Sequence, residues 1–494
     1  MRSVKDALMG LLLIGALTVL PSCKEKQPKF HEAQGRTSAE RAVNAARRFS
    51  GITLNLGWED GAQALDPLRY SGPRWEMLTG IKLNVVELGG PKDQYRRLVA
   101  EHEAKTAALD CASIAPAWLD DLVRIGALEN LEPYIQHYVV QDDLDDVPPF
   151  YREMGVYEGK RYGLFDDGDI MLLYYRKDLF SDPSIKKEFQ RKYGRPLGDP
   201  RHYDTKTLLD VARFFTEKFA PNLYGMAPFT PDIAWAWFQA LLRIQGGRFF
   251  DPETMMARIN DPSAVLAMNL IVDLGRTMPP GSSFLAETRP GETTFGSYLS
   301  GKAAMASFWP PLGRWAEEYE PTRQSFGMLA GTQVRGKTGY ALLPGEETEM
   351  AVGFLLTVQT RSLHKEAAYL FIQWLNSAEV SLERVTLPYA LRDPFRFSHF
   401  QSEKYRGLWP TAPEYLAILQ EAATNRAWMD LAIPGANDYA EAFFEALGRT
   451  SRGASVTEAL DRMASDWDKI TRRLGSESQR EAYAEFLKHE HAGR

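Results

Sequence analysis

Cysteine is almost absent from this sequence of 494 residues, which contains only Cys23 and Cys111. A small fold held together by disulfides is therefore excluded, and a chain of this length must rest on hydrophobic cores in two or more lobes. Cys111 lies in the apolar run Leu109–Ile114, so we expect its thiol to be buried and inert.

An excess of basic charge and the common catalytic motifs are also missing. The formal net charge of −7 argues against a nucleic-acid binder, which normally carries a basic face. The sequence contains no Gly-x-Ser-x-Gly elbow, no P-loop and no HExxH helix, and its 8 histidines show no metal-ligand spacing. The acidic loop Asp166–Asp169 lacks the downstream glutamate of a calcium-binding loop. We therefore expect no catalytic residues, no cofactor and no metal.

Only one long apolar run occurs near the start of the chain, Ala7–Leu20, and it follows Arg2 and Lys5. This order is typical of an export signal, and the run is short of the about 20 residues that a spanning helix needs. It ends in Leu20-Pro21-Ser22-Cys23, which resembles a bacterial lipoprotein signal with cleavage before Cys23 and lipid on its thiol. An ordinary secretory signal with an incidental cysteine is the alternative.

The two ends of the chain are polar. We expect residues 1–22 to form the signal peptide, residues 23–50 a tether with one short helix, and residues 476–494 a charged tail that forms a surface helix. The main folded part is then expected to begin at Gly51.

Between these ends, short apolar runs alternate with helical patterns. Ile52–Leu56, Ile81–Glu87 and Leu109–Ile114 are predicted strands, each followed by a helical segment. This alternation predicts an α/β fold with a mostly parallel sheet and helices on both faces. Ile170–Tyr175 and Val352–Val358 are continuous apolar runs, which are typical of strands buried on both faces.

The stretch Gly159–Phe180 combines three local signals. A glycine-flanked turn at Gly159–Gly163 is followed by the acidic loop Asp166–Asp169 and then by the buried strand Ile170–Tyr175. Carboxylates at a strand end lie where α/β proteins usually bind ligands. We therefore expect the chain to cross between two lobes here and to contact a ligand.

A series of short motifs runs through almost all of the mature chain, and their order and spacing matter more than any one of them. They are Thr79-Gly80-Ile81, Leu109-Asp110, Gly159–Phe180, Phe249-Phe250-Asp251-Pro252, Gly301-Lys302-Ala303-Ala304-Met305 with Trp309, Gly353–Val358 with the Ser362–Leu375 helix, and Ile433-Pro434-Gly435 with the Tyr439 helix. Together they resemble family 1 of the extracellular solute-binding proteins, the maltose-binding type of sugar ABC transporters. Phe354 departs from this family, in which many members have Trp. The insertion Ser181–Tyr203 resembles only a carbohydrate-directed subset.

The resemblance implies a two-lobed periplasmic-binding fold of type II, in which each lobe is a mostly parallel sheet flanked by helices. Lobe 1 would comprise residues 51–165 and 353–405, and lobe 2 residues 166–352 and 406–475. The ligand would lie in the cleft between them. Such a cleft would suit a sugar, because flat rings cover its C–H faces and polar groups bind its hydroxyls.

The candidate ligand contacts combine strand-end positions with the resemblance. They are Trp58, Asp60, Trp118, Asp167, Asp169, Trp235, Trp309, Phe354, Arg392 and Asp430. For the aromatic residues the alternative is a place in the core, and for the carboxylates a solvated turn. Trp235 and Trp237 are alternatives to each other, because residues two apart on a helix point in different directions.

The predicted function is capture of a sugar or oligosaccharide outside the cytoplasm and its delivery to the permease of an ABC importer, without chemistry on the ligand. The resemblance implies a monomer in the periplasm or at the cell surface, held to the membrane by lipid on Cys23. A sugar sensor or a glycan-capturing lipoprotein without transport is the alternative. A glycosidase would need a second acid elsewhere, because Asp167 and Asp169 are only two residues apart.

Overall fold

The computed structural model describes residues 30, 34–282, 284, 293–317, 331–346, 348–387 and 391–489. The predicted signal peptide and Cys23 lie outside the described residues. No helix in the described part of the chain is long and apolar enough to cross a membrane.

Thirteen strands of the described residues form two main sheets and two small ones. The strands are β1 (Thr53–Trp58), β2 (Lys82–Glu87), β3 (Cys111–Ile114), β4 (Val156–Tyr157), β5 (Lys160–Arg161), β6 (Gly163–Phe165), β7 (Leu172–Arg176), β8 (Tyr224–Met226), β9 (Ala303–Phe308), β10 (Thr338–Ala341), β11 (Glu349–Ala351), β12 (Leu355–Val358) and β13 (Ala427–Met429). The first sheet has the order β2-β1-β3-β12-β6, and the second has the order β10-β7-β9-β8. β11 pairs with β13, and β4 pairs with β5.

Both main sheets are mixed, so the prediction of mostly parallel sheets is wrong in this respect. In the first sheet β1 runs parallel to β2 and β3, whereas β12 runs antiparallel to β3 and β6. In the second sheet β7 is antiparallel to both of its neighbours, and only β8 and β9 are parallel. The antiparallel strand β12 re-enters the first sheet from the other lobe, so it needs no crossover helix of the kind that parallel neighbours require.

Helices surround these sheets. They span Ser38–Ala46, Gly72–Thr79, Pro91–Glu103, Leu119–Arg124, Glu132–Tyr138, Gln141–Asp145, Pro149–Glu153, Lys177–Ser181, Pro183–Tyr193, Thr205–Phe219, Pro231–Ile244, Pro262–Gly275, Thr294–Leu299, Pro311–Ala316, Lys365–Asn376, Ala378–Val385, Phe397–Gln401, Glu403–Arg406, Ala412–Glu421, Ala436–Ser451, Val456–Leu474 and Ser476–His489. Shorter 3-10 or π turns span Arg47–Phe49, Gly61–Ala64, Pro67–Ser71, Pro116–Trp118, Pro200–His202 and Ala422–Arg426.

The stretch Gly159–Phe180 folds as its local signals predict. β4 and β5 form a hairpin whose two loop residues, Glu158 and Gly159, both have positive φ, which matches the twist that two-residue hairpins favour. Every residue of β7 is buried, and the strand lies between β10 and β9. The chain crosses from the first sheet to the second between β6 and β7. The lobe boundaries given above stay predictions.

The helix Ser38–Ala46 lies within the range that was predicted as a tether, yet it belongs to the fold. Thr37 caps it by accepting a hydrogen bond from the backbone of Glu40, and Ala42 and Ala46 are fully buried. Gln373 donates to the carbonyl of Ser38 at 2.9 Å. Small apolar residues at helical spacing explain this packing, since they give the helix a face that can lie flat on a neighbour.

The C-terminal helix Ser476–His489 also differs from a charged surface tail. Tyr483 is 1% exposed and Phe486 is 3% exposed. The Tyr483 ring lies 5.3 Å from that of Phe250, and the Phe486 ring lies 6.4 Å from that of Phe249. The helix is charged on one side, while its aromatic side completes a hydrophobic core.

Replacing Phe486 by alanine is therefore expected to lower the free energy of unfolding by about 3 kcal/mol, because the change leaves a cavity in a packed cluster. Replacing the exposed Lys488 by alanine should change the free energy of unfolding by less than about 0.5 kcal/mol. Urea denaturation of both variants measures the difference. Equal, small effects would mean that the helix is not packed as described.

Candidate ligand-binding site

Three segments meet where the chain crosses between the two sheets, around Asp167, Phe354 and Asp393. The Asp166 amide donates to the Phe354 carbonyl at 2.9 Å, and the Gly168 amide donates to the Asp393 carbonyl at 3.1 Å. A Cβ on Gly168 would lie 1.9 Å from the carbonyl oxygen of Pro394. The segments therefore approach so closely that only glycine fits at this position.

A buried ionic network holds the crossing in place. The Arg384 guanidinium donates to Asp66 at 2.7 Å and to Asp166 at 2.8 Å. Arg392 donates to the same Asp166 carboxylate at 3.1 Å. Arg384 and Arg392 are each 1% exposed, and Asp166 is fully buried. These pairs join the start of the crossing to a helix more than 200 residues further along the chain. No sequence pattern indicated Arg384 as a site residue, because its partners Asp66 and Asp166 lie far from it along the chain.

Asp167 and Asp169 lie together, but their surroundings differ. Asp167 is fully buried, and it accepts a hydrogen bond from the Asp393 amide at 2.8 Å. Asp169 is half-buried, and its Oδ1 has no hydrogen-bond donor among the described residues. Burial raises the pKa of both carboxyl groups well above the usual range. The contacts give Asp167 a structural role, and its predicted role as a ligand contact stays a prediction.

Asp393 is the third carboxyl group of this cluster. Its Oδ1 accepts a hydrogen bond from Arg314 at 2.9 Å. Burial raises the pKa of Asp393 to about 6, although Arg314 and Arg392 act against the rise. Oxygen atoms of Asp167, Asp169 and Asp393 all lie within 4.8 Å of one another. The crossing therefore brings three carboxyl groups together, of which Asp167 and Asp393 are at most 1% exposed.

Arg392 contacts two aromatic rings of the candidate set. Its guanidinium carbon is 5.4 Å from the centroid of the Trp58 ring and 4.9 Å from that of the Phe354 ring. Such contacts with the ring faces attract a cation. Arg392 Nη2 and Trp58 Nε1 are buried donors without a hydrogen-bond partner among the described residues. Trp58, Phe354 and Arg392 are thus brought together at one place.

Glu59 is a further candidate that sequence reasoning passed over in favour of Asp60. Asp60 is exposed, and it accepts a hydrogen bond from the Gly89 amide at 2.7 Å, which ties two strand ends together. Glu59 is half-buried at the end of β1. Burial raises its pKa from 4.5 to about 7, with Arg392 lowering it and Asp60 raising it. The sequence did indicate Glu59, because the end of this strand contains both Glu59 and Asp60 directly after Trp58.

The raised pKa of Glu59 predicts a pH-dependent stability. The unfolded chain releases this proton near pH 4.5 and the folded protein near pH 7, so the contribution of Glu59 to stability falls as pH rises between these values. Glu59→Gln removes the titration. We expect its free energy of unfolding, relative to the parent protein, to rise by about 2–3 kcal/mol between pH 4.5 and 7.5. Urea denaturation at several pH values measures this difference, and parallel pH curves would contradict it.

Trp118 lies where residues of the two predicted lobes touch. Its indole Nε1 donates to Asn437 at 3.1 Å, and the Gly435 amide donates to Asp121 at 3.0 Å. Trp118 is 3% exposed. A small pocket opens beside these contacts, lined by Pro116, Leu119, Tyr157, Met429, Ala432 and Phe486 among others. In this arrangement Trp118 ties the segment after β3 to the helix Ala436–Ser451.

Trp235 and Asp430 are brought together, but within the core of the second lobe. The Trp235 indole donates to Asp430 at 3.0 Å, and Gln239 donates to the same carboxylate oxygen at 2.6 Å. Trp235 is 5% exposed and lies 5.0 Å from the ring of Phe443. Burial raises the pKa of Asp430. Both residues therefore pack inside the second lobe. The expectation that they contact a ligand stays a prediction.

Trp309 follows directly on β9, at the end of a strand next to the crossing strand β7. Its side chain is half-buried, and it packs against the core of the second lobe. The Trp309 carbonyl accepts a hydrogen bond from the Tyr174 hydroxyl at 3.1 Å. The backbone is therefore fixed while part of the indole remains accessible.

A two-lobed α/β fold whose polar and aromatic side chains gather at the crossing defines a class, the solute-binding proteins. Residues 75–406 match the family described as bacterial extracellular solute-binding protein. The chain belongs to this family. The predictions of an extracellular solute-binding protein, of a two-lobed α/β fold and of a binding protein rather than an enzyme are confirmed.

Individual relatives are more distant. The chain is 23% identical over 398 residues to the probable amino-acid ABC transporter periplasmic-binding protein y4oP of Sinorhizobium fredii (strain NBRC 101917 / NGR234), which covers 76% of this chain and 85% of the relative. Maltose-bound MalE3 of T. maritima is 18% identical, with a TM-score of 0.66, over 85% of this chain and 100% of that one. A solute-binding protein from Agrobacterium radiobacter K84 in complex with ribitol is 20% identical, with a TM-score of 0.66, over 85% and 99% of the two chains. At these identities the structural likeness establishes the fold.

Proposed function

We propose that this protein captures a neutral carbohydrate or polyol between its lobes and delivers it to an ABC importer. The observation that carries the proposal is the group at the crossing, where Arg392 Nη2 and Trp58 Nε1 are unpaired donors among the described residues. They lie beside aromatic rings and the half-buried Glu59 carboxyl group. A polyhydroxylated solute offers both acceptors for these donors and C–H faces for the rings.

The proposed ligand contacts are Trp58, Glu59, Arg392, Phe354 and Trp309. A hydroxyl group of the ligand would accept from Arg392 and exchange a hydrogen bond with Glu59, and the bond from the charged guanidinium is about twice as strong as a neutral one. Trp58 and Arg392 are each 1% exposed. We infer that the lobes must separate to admit the solute and that the contacts between Trp118 and Asn437 form again on closure.

The relatives support this proposal without agreeing on one ligand. The two solved structures named above contain maltose and ribitol, and each of these ligands carries several hydroxyl groups. The relative y4oP is described as a probable amino-acid binder. An amino acid carries a carboxylate and an ammonium group. Arg392 can pair with the carboxylate, whereas a protonated Glu59 has no charge to pair with the ammonium group.

Thermal unfolding against a ligand panel tests the proposal. The panel contains monosaccharides, maltose and longer oligosaccharides, polyols such as ribitol, and the common amino acids. A ligand at 100 times its dissociation constant stabilises the folded protein by about 2.7 kcal/mol, which is a shift of several degrees. We expect carbohydrates or polyols to give such a shift. A shift with amino acids only would contradict the proposal.

Anchoring and transport are further parts of the proposal. We propose cleavage before Cys23, lipid on its thiol, and a monomer that docks with the permease outside the cytoplasm. Cys111, the second cysteine of the chain, is 1% exposed, so lipid labelling should depend on Cys23 alone. Labelling with a palmitate analogue in a bacterial host is expected for the parent protein and not for Cys23→Ser. Capture of sugar without import into cells would favour the sensor alternative.

A further inference from the structure

The crossing contains more buried acid than base. Among the described residues, the carboxylates of Asp66, Asp166, Asp167 and Asp393 form ion pairs with three guanidinium groups, those of Arg314, Arg384 and Arg392. Asp169 adds a fifth carboxylate without an ion pair in the described part of the chain. Five carboxyl groups thus face three guanidinium groups, and the two in excess are costly to bury as unpaired charges.

Two carboxyl oxygens of this cluster have no hydrogen-bond donor in the described part of the chain. Asp169 Oδ1 and Asp393 Oδ2 have no hydrogen-bond donor among the described residues, and oxygens of Asp167, Asp169 and Asp393 lie within 4.8 Å of one another. Calcium binds oxygen ligands at about 2.3–2.6 Å, so two of its ligands lie up to about 5 Å apart. The guanidinium of Arg314 donates a hydrogen bond to the other oxygen of Asp393, Oδ1. The separation of the oxygens is therefore right for one hard cation.

Tyr151 supplies an independent indication of a missing partner. It is fully buried, and its hydroxyl has no hydrogen-bond partner among the described residues. Its ring stacks on Phe165 with centroids 4.3 Å apart, which places it beside the start of the acidic loop. The charges of Asp167, Asp169 and Asp393 add to burial in raising its pKa. Orphaned buried hydroxyls are rare and usually have an ion or a water as partner.

We propose that Asp167, Asp169 and Asp393, with the buried Tyr151 nearby, form a site for a divalent cation such as Ca²⁺. The cation displaces protons from the carboxyl groups in excess, balances their charge and ties the acidic loop to the segment around Asp393. It stabilises the crossing between the lobes independently of any sugar. The expectation of a protein without metal, drawn from the missing calcium-loop motif, is revised by this proposal, because Asp393 lies 226 residues from Asp167 along the chain.

The test uses the full mature chain, treated with EDTA, dialysed and kept free of carbohydrate. Calorimetric titration with Ca²⁺ and with Mg²⁺ at neutral pH measures binding, and thermal unfolding measures stabilisation. We expect one Ca²⁺ per chain with a dissociation constant of about 1 mM or lower and a higher melting temperature. Asp169→Asn should weaken binding at least tenfold, and Tyr151→Phe severalfold while keeping the ring stacked on Phe165.

Asp430→Asn is the matched control, because Asp430 is also a carboxylate with a raised pKa but lies outside the cluster. It should bind Ca²⁺ within twofold of the parent protein. The proposal is overturned if neither ion binds at millimolar concentration, or if Asp169→Asn binds as the parent does. Absence of binding together with a more stable Asp169→Asn would show that shared protons balance the charge. None of these outcomes bears on carbohydrate binding, which the ligand panel measures separately.

Discussion

Replacing Arg384 by methionine is expected to lower the free energy of unfolding by about 3–5 kcal/mol. The change keeps much of the side-chain volume but removes the partner of Asp66 and one of the two partners of Asp166. Both carboxylates are at most 2% exposed. Breaking a buried ion pair costs this much because the remaining charge stays desolvated. Urea denaturation followed by circular dichroism measures the loss.

Arg74→Met is the matched control for this prediction. Arg74 forms an ion pair with Glu383, the neighbour of Arg384, but the two side chains are 35% and 40% exposed. Ion pairs open to solvent contribute about 0–1 kcal/mol, so this variant should unfold almost as the parent protein does. Similar losses in both variants would mean that the network around Asp166 does not depend on burial.

Replacing Trp309 by alanine is expected to weaken ligand binding at least about thirtyfold, which corresponds to about 2 kcal/mol. The half-buried indole is the proposed stacking surface for a sugar face, and its backbone is held by the bond from Tyr174. The melting temperature of the unliganded protein should change little. Calorimetric titration with the best ligand of the panel, together with unliganded melts, separates the two effects.

The comparison variant is Trp235→Phe. It removes one of the donors to Asp430, so we expect a loss of about 1–3 kcal/mol in stability and ligand affinity within twofold of the parent. The opposite pattern, with affinity lost at Trp235 and retained at Trp309, would mean that the two tryptophans have exchanged roles. A large loss of unliganded stability in Trp309→Ala would place its indole in the core.

Helices with strong local signals were predictable from the sequence. The helix Thr205–Phe219 is an example, because its apolar face recurs at helical spacing and Asp204 caps its start. The strand after the acidic loop was also predictable, since a short continuous apolar run is typical of a strand buried on both faces. In both cases the information lies within one short segment.

Strand direction and burial of the polar residues were not predictable in the same way. β12 runs antiparallel to β3. Its direction depends on the path of the chain between the two sheets, which no local sequence pattern predicts. Asp167 was expected to contact a ligand, as was Asp169, yet it is fully buried. Its partner, the Asp393 amide, lies 226 residues away, so periodicity could not reveal the contact.

The candidate site shows the same limit. Trp58, Phe354 and Arg392 were each proposed, and the structure brings them together through ring contacts that no single segment specifies. Trp235 and Asp430 were proposed for the same reasons but pair inside the second lobe. Sequence alone identified strand ends with suitable chemistry, while the fold decides which of them share a site.

The most direct test of the account is calorimetric titration of the mature protein with the carbohydrate or polyol that gives the largest thermal shift. The account predicts saturable binding of one ligand per chain, lost or strongly weakened in Trp309→Ala and retained in Trp235→Phe. Absence of saturable binding with every carbohydrate and polyol, alongside one-to-one binding of an amino acid, would contradict it.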